Sequence, residues 1–598
     1  MNIQPADYYQ QRITQLQQTL LQLQQKNKLL GWGRLCSSVG AFPVLYWVWP
    51  LGWLYIVPVA IMFLIVFTRL IFMDMDNKAA INHQQNLIVI NEDELKALDG
   101  AYLHFDEGNQ YIQHDHLYSN DIDIFGRASV YQYINRTTSF MGGHTLASWL
   151  LQPATAETIL DRQEAVKELS AKTSFRQDLQ ALGTEKKIAA STQDRLQNWL
   201  QQQPVFLSFK PWAILQYLLP AIILIILALN LLDIVPDRIR NLFIFVFAII
   251  AYFTSKRATP VQQQLSKIVD EITVLKGSIA LIESTLFTTA YLLQLQQYFQ
   301  VQNGKASKEL QTLKQLLDRM DIRYNPVAFI PLDIFLLWDV QQVLALERWK
   351  KRNQQNILNW IEALGKMEAI NSLATVNFNH PDWCMPMLKE KHFSIEATAL
   401  GHPLIQPSKR VNNFITINDK KELMLITGSN MAGKSTYLRS VGVNVVLAMA
   451  GSVVCAQRFA LSPVQLITSM RIADNLEENT STFYAELKKL KTVIERVNKQ
   501  EKIFILLDEI LRGTNSLDRH TGSAALIKQL IKKDACAIIA THDVELAKLK
   551  EQYPANILNY YFDVQVSNDE LYFDYKLKEG ICSSLNASIL MRKIGIEM

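Results

Sequence analysis

From Leu35 to Thr68 the chain carries no charged residue, and Arg34 and Arg69 bound the run. One straight helix through those positions would reach about 51 Å at ~1.5 Å per residue. A bilayer's hydrocarbon core is only about 30 Å thick. Trp49-Pro50-Leu51-Gly52 lies in the middle of the run, and Pro and Gly there suit a tight turn. The segment 29–73 therefore reads as a transmembrane hairpin. Trp32, Trp47, Trp49 and Trp53 suit interfacial positions, and arginine at both ends places both ends on the cytoplasmic side. The mostly polar stretch 1–28 that comes first does not fit a cleaved signal peptide.

A second uncharged run extends from Pro211 to Leu232, followed after a short loop by Asn241 to Ser255. Lys210 precedes the pair and Lys256-Arg257 follow it. The stretch 211–255 reads as a second hairpin with its ends inside, which makes four spans with the soluble domains facing the cytoplasm. Charged residues make up only 19% of the chain, against about 25% in a typical soluble protein, and the two hairpins account for the difference. A hydrophobic share of 49% excludes a disordered chain. The net charge of +4 is too small to indicate a nucleic-acid surface by itself. Five cysteines, far apart and with no Cys-x-x-Cys pair, suggest neither a disulfide framework nor a zinc site, and point to a reducing compartment.

Ile13, Leu16, Leu20, Leu23 and Leu30 follow helical spacing, so 1–28 reads as an N-terminal amphipathic helix. Residues 74–210 form a helical core domain in pattern, and 256–390 a set of long polar helices. Beyond 390 short apolar runs alternate with helical stretches, as expected of an α/β domain over 391–598.

That last region carries the chemistry. The apolar strand at Leu423–Thr427 runs into Gly428-Ser429-Asn430-Met431-Ala432-Gly433-Lys434-Ser435-Thr436, the pattern G-x-x-x-x-G-K-[ST]. Glycines let backbone N–H groups wrap phosphates at a helix N-terminus. Lys434 can reach the β/γ-phosphates of ATP, and the Ser435 hydroxyl can ligate Mg2+. A second apolar strand, Ile503 to Leu507, leads into Asp508-Glu509. Asp508 is placed to hold the Mg2+ shell, and Glu509 to act as general base on an attacking water. A third, Ala535 to Ala540, ends in Thr541-His542, which makes His542 a γ-phosphate sensor candidate.

These residues closely resemble the ATPase domain of the MutS family of DNA mismatch-repair proteins. The stretch 427–436 is similar to the family's TGPNMGGKST, with Ser429 and Ala432 as departures. Arg471-Ile472-Ala473-Asp474, followed by Ser481-Thr482-Phe483-Tyr484-Ala485-Glu486, resembles the signature segment ending in STFMxEM. The stretch 508–514 resembles DELGRGT, with Leu511 in place of a glycine. Thr541-His542, the entry motif Gly401-His402-Pro403, and Gly580 with Ser583-Ser584 also match. Upstream, Asn135-Arg136-Thr137-Thr138 onward resembles the start of the family's helical core, and Glu362 to Asn377, with Glu368 to Asn371 and Ala374, its returning lever helix.

The resemblance and the apolar runs together give a multidomain protein: a helical core and lever domain with transmembrane hairpins, plus an α/β P-loop ATPase domain of ABC type. The resemblance implies composite active sites in a homodimer formed through the ATPase domains, with Ser481 reaching the γ-phosphate held by the opposite subunit. It also implies that Asn430 contacts phosphate and that Phe414 stacks on adenine. The stretch between the first hairpin and the core is too short for the family's mismatch-reading domain, and Phe105-Asp106-Glu107 is read as a chance Phe-x-Glu match. The second hairpin stands where the family inserts its DNA clamp, and the basic cluster Arg348–Arg352 reads as a solvated helix face. The expectation is a membrane-anchored MutS-like ATPase using ATP and Mg2+, with DNA as a candidate partner. The alternative is a membrane-bound mechanical or scaffolding ATPase that acts on a protein and never touches DNA.

Overall fold

The computed structural model describes residues 4–301, 304–390, 393–418, 422–429, 432–470, 482–567 and 570–582. Two long helices open it, Pro5–Val48 and Trp53–Leu98, packed against each other and joined by a short turn at Trp49–Leu51. Gly52 makes the reversal at φ +92°, a conformation that costs little without a Cβ. The polar stretch from Pro5 to Lys28 and the apolar stretch after it are thus one continuous helix rather than two elements. No proline interrupts them before Pro43, and an isolated glycine such as Gly31 does not stop a helix.

The two ends of this hairpin differ. Around the turn large apolar side chains face outward, with Trp47 84% and Phe42 76% exposed. Farther from the turn the helices lock together through polar groups. Buried Asp74 takes Arg34 at 3.1 Å and Lys78 at 2.9 Å, and the Asn77 amide donates to the Leu23 carbonyl.

Among the described residues, three helical stretches are long and apolar enough to cross a membrane: Trp53–Leu98, Trp212–Leu231 and the run Asp237–Ser284. The apolar half of Pro5–Val48, expected as a span, is not among them. A fourth would come from an unforeseen place, the pair Pro326–Leu336 and Trp338–Asn353, bent by 79°. Leu337, at φ +48°, makes the bend. The expected boundary at 255/256 falls inside the Asp237–Leu265 helix.

The helical body is organised around Asn356–Asn379, buried on nearly every face. Its Glu368 accepts the Ser139 N–H and hydroxyl and the Thr138 hydroxyl, at 2.6 to 3.1 Å. The contact is close because Gly142 has no side chain: a Cβ there would sit 2.0 Å from a Glu368 oxygen. At the far end Asn379 accepts from the Tyr9 hydroxyl at 2.7 Å and donates to Glu94 at 2.8 Å, and Glu94 pairs with buried Arg136. The start of the first helix and the end of the second are thereby tied to the residues that lead into the α/β region.

The stretch 348–352 is only partly solvated. Trp349 and Lys350 are buried, and the Lys350 ammonium is capped by the Trp199 and Gln202 carbonyls. Phe105 lies under the Arg136 guanidinium at 3.7 Å, while Asp106 and Glu107 bond within their own loop.

The α/β region holds a six-stranded sheet. We number its strands β1 Leu423–Thr427, β2 Gln465–Ser469, β3 Ile503–Asp508, β4 Cys536–Thr541, β5 Ile557–Phe562 and β6 Leu577–Glu579. Their spatial order is β6-β5-β1-β4-β3-β2, parallel except for β6. Every residue of β1, β3 and β4 is buried, which explains their unbroken apolar runs. A four-stranded sheet of Met387–Leu388, Arg458–Leu461, Ile395–Leu400 and Asn413–Ile417 adjoins it.

Candidate functional site

Parallel register brings the three sequence signals together. Thr541 pairs with Thr427 and Ala540 with Asp508, so β1, β3 and β4 end at one level. Ligands of open α/β sheets bind beyond such carboxyl ends. After β1 the chain turns through Gly428 at φ +148° and Gly433 at φ +104° into the helix Lys434–Ala450. A side chain at 428 would meet the Phe562 carbonyl at 2.8 Å. Glycine is needed there for space as well as for backbone freedom.

Lys434 is buried, and its ammonium donates to the Gly428 and Ser429 carbonyls at 2.6 and 2.9 Å. Burial lowers its pKa, and the Glu509 carboxylate, 3.8 Å away, opposes that shift. Asp508 lies at the end of β3. Burial raises its pKa, and a hydrogen bond from Ser435 lowers it in part. Its Oδ1 is buried and accepts no hydrogen bond.

Glu509 sits at φ +49°, with its N–H on the Ala540 carbonyl of β4 at 2.9 Å. Its carboxylate faces Arg512 at 3.1 Å and the His542 Nδ1 at 3.8 Å. The Arg519 guanidinium lies 3.2 Å from His542 Nε2. A guanidinium only donates, so Nε2 accepts there, and Nδ1 is the ring nitrogen on the Glu509 side.

A cavity of about 600 Å3 opens over the glycine-rich loop. Ser429, Gly433, Lys434, Ser435, Thr436 and Glu509 line it. Ala432 is buried within the loop and His542 stands beside Glu509; like Gly428 and Asp508, neither is a lining residue. Phe414 is also outside the lining. Its ring packs edge-on against Tyr560 and its carbonyl accepts the Tyr437 hydroxyl. Asn430, Met431 and Ser481, together with Arg471, Asp474 and Ser583-Ser584, lie outside the described residues.

Sequence reasoning assigned no role to several residues that line this cavity. Arg512 and His402 sit inside motifs that were recognised, so a signal for them existed. Burial and the nearby Arg439 push His402 down to about 4. Arg410 and Tyr575 had no signal. Tyr575 reaches the cavity from the loop before β6, where the Asn413 amide holds its carbonyl at 3.0 Å.

Residues 424–591 match the family model of MutS domain V. The chain is 30% identical over 254 residues to the DNA mismatch repair protein MutS of Thermotoga sp. (strain RQ2), covering 42% of this chain and 30% of that protein. It is 32% identical over 225 residues to the DNA mismatch repair protein MutS of Chlorobium phaeovibrioides, covering 36% of this chain and 25% of that protein. The chain thus spans less than a third of the length of these curated relatives.

Proposed function

We propose that this chain is a membrane-anchored MutS-like ATPase that binds and hydrolyses ATP with Mg2+ and dimerises through its α/β domains. The nucleotide cycle then moves the helices around Asn356–Asn379. The observation that carries the reading is the orphaned Asp508 Oδ1, buried at the end of β3 beside Ser435. A hydroxyl and a carboxylate are hard oxygen donors that suit Mg2+, so the residues present fit the ion. Bound there, Mg2+ would supply charge neutralisation on the phosphates.

The chain's own groups supply the rest. Lys434 exchanges its two carbonyl acceptors for phosphate oxygens. Glu509 accepts the proton of the attacking water, and the His542 Nδ1 faces that carboxylate. Lys434→Ala is expected to weaken ATP binding. Glu509→Ala should keep binding and lower turnover by at least ~100-fold. Normal turnover by Glu509→Ala would remove the base assignment.

The exposed apolar turn of the first hairpin supports the membrane anchor, since contiguous apolar surface of this kind is unusual in contact with water. DNA is the proposed target, on the strength of the relatives' mismatch-repair name. One observation favours the second reading, a mechanical ATPase working on a membrane partner. Apolar helices Trp212–Leu231 and Asp237–Leu265 occupy the stretch where the resembled family inserts its DNA clamp. Titrating the detergent-purified protein with homoduplex, mismatched and branched DNA over a salt series separates the two. A steep salt slope supports DNA handling, and no binding at low salt supports the membrane partner.

A further inference from the structure

Glu486 is 3% exposed and sits on the helix Thr482–Asn498. It lies 23 positions before Glu509 in sequence, yet its carboxylate is spent on the loop that carries Glu509. One oxygen accepts the Leu511 N–H and the other the Arg512 N–H, the latter at 3.2 Å. Burial raises its pKa, and these two backbone bonds are the main opposing influence. The loop needs such a hold. Glu509 and Leu511 both adopt left-handed backbone angles, φ +49° and +60°, which side chains other than glycine adopt only at a cost.

Two further contacts tighten the assembly. The Arg512 guanidinium turns back on Glu509, with Nε on its carbonyl at 3.2 Å and Nη2 on its carboxylate at 3.1 Å. Gly513 touches the same helix so closely that a Cβ there would lie 2.6 Å from that of Phe483.

We propose that Glu486 is a positioning residue for the general base: its two backbone bonds set the place of Arg512 and Glu509, so the Thr482–Asn498 helix and the base move as one body. This rests on the ATPase reading above. Glu486 touches no reacting atom and acts only through the loop. A displacement of that helix therefore reaches Glu509 directly, without passing through the glycine-rich loop or Lys434. A carboxylate is required because both N–H groups point at it. Glutamine offers one acceptor oxygen, and its amide group would face the second N–H donor to donor.

The test compares Glu486→Gln with wild type in the full chain in detergent, measuring kcat, KM for ATP, equilibrium ATP binding and melting temperature. The expected result is a fall in kcat of about tenfold, with KM and ATP binding within about twofold and the fold intact. Glu486→Ala should fall further in kcat along the same line. A wild-type kcat for Glu486→Gln overturns the inference. So does a loss in which kcat, ATP binding and melting temperature fall together, because that is the signature of a purely structural carboxylate. If the wild-type chain neither binds nor hydrolyses ATP, the ATPase reading fails and takes the inference with it. An active wild type with an indifferent Glu486→Gln removes the inference alone.

Discussion

The strands that lead into the site and the helices that flank Trp49 are both strongly apolar, and they meet opposite surroundings. Leu425, Ile505 and Ile538 are wholly buried, whereas Phe42, Trp47, Leu54 and Ile65 are mostly exposed. Apolarity alone therefore does not tell where a segment ends up. The strands are five or six residues long and stop at Thr427, Asp508 and Thr541, where glycine, acid and histidine take over. The hairpin is far longer than any core it could fill, and it carries its polar interlock only away from the turn. An apolar stretch with no protein to cover it needs an apolar solvent, and the proposed membrane is that solvent.

The largest test of this contrast puts a charge in each region. Leu425→Asp buries an unpaired carboxylate in the middle of the sheet and should cost about 5 kcal/mol or more. The expected outcome is loss of cooperative melting of the α/β region. At the boundary between the regions, Glu94→Ala leaves Arg136 buried without its carboxylate. That should cost about 3–5 kcal/mol by denaturant titration.

Ile65→Asp should leave melting in detergent unchanged. It should instead weaken partition into vesicles by about 3 kcal/mol, the insertion cost of Asp at mid-span, measured by flotation. If Ile65→Asp unfolds the protein instead, the turn region is core and the comparison collapses.

Acid offers a finer probe of the buried side. Desolvation holds His380 and His402 down at about 4 in the fold, against about 6.5 when unfolded. The unfolded chain therefore binds more protons between these values. Stability is complete above pH 6.5 and drains away as pH falls toward 4. By pH 4.5 each histidine should account for a loss of about 2.5 kcal/mol, about 5 kcal/mol for the pair, with roughly half the slope in His380→Gln.

The smallest effect separates burial from backbone strain at Leu511. This residue pays for a left-handed angle but fills the core, with its Cδ1 where a Cβ of Gly522 would be only 2.6 Å away. Losing the buried side chain costs about 2 kcal/mol or more and outweighs the strain relieved, so Leu511→Gly should destabilise. Leu511→Ala loses nearly the same burial and keeps the strain, so it should be the less stable of the two by about 1 kcal/mol. That reverses the usual order of alanine and glycine, and thermal melts of the pair would show it.

Much of the site was legible in the sequence. The glycine spacing, Lys434, Ser435, Asp508, Glu509 and His542 each sit directly after an apolar strand, and such chemistry is local. Less legible were contacts between distant segments. Arg512 on Glu509 could be suspected from its spacing of three. The two bonds from Glu486 could not, because nothing in a helical acid tells which backbone it will cap. Tyr575 enters the cavity from a loop that follows β5. The departure at Leu511 was visible as a missing glycine, but its φ of +60° and its burial were not.

The amino-acid order by itself determined the local features: the charge-free runs, the Pro50–Gly52 turn, the strand-loop-helix at Gly428 and the acid pair after Leu507. Each depends on neighbours within a few residues, where sterics and hydrophobic period act. Tertiary structure alone decided that the polar stretch from Pro5 to Lys28 is the base of the same helix that becomes apolar, and that this base bonds to Asn379. It also decided that a bent helix pair joins the apolar helices, and that β1, β3 and β4 end at one level. Those outcomes depend on which buried polar groups find partners across hundreds of residues. A buried carboxylate such as Glu94, Glu368 or Glu486 is held by whichever donors the whole fold delivers to it.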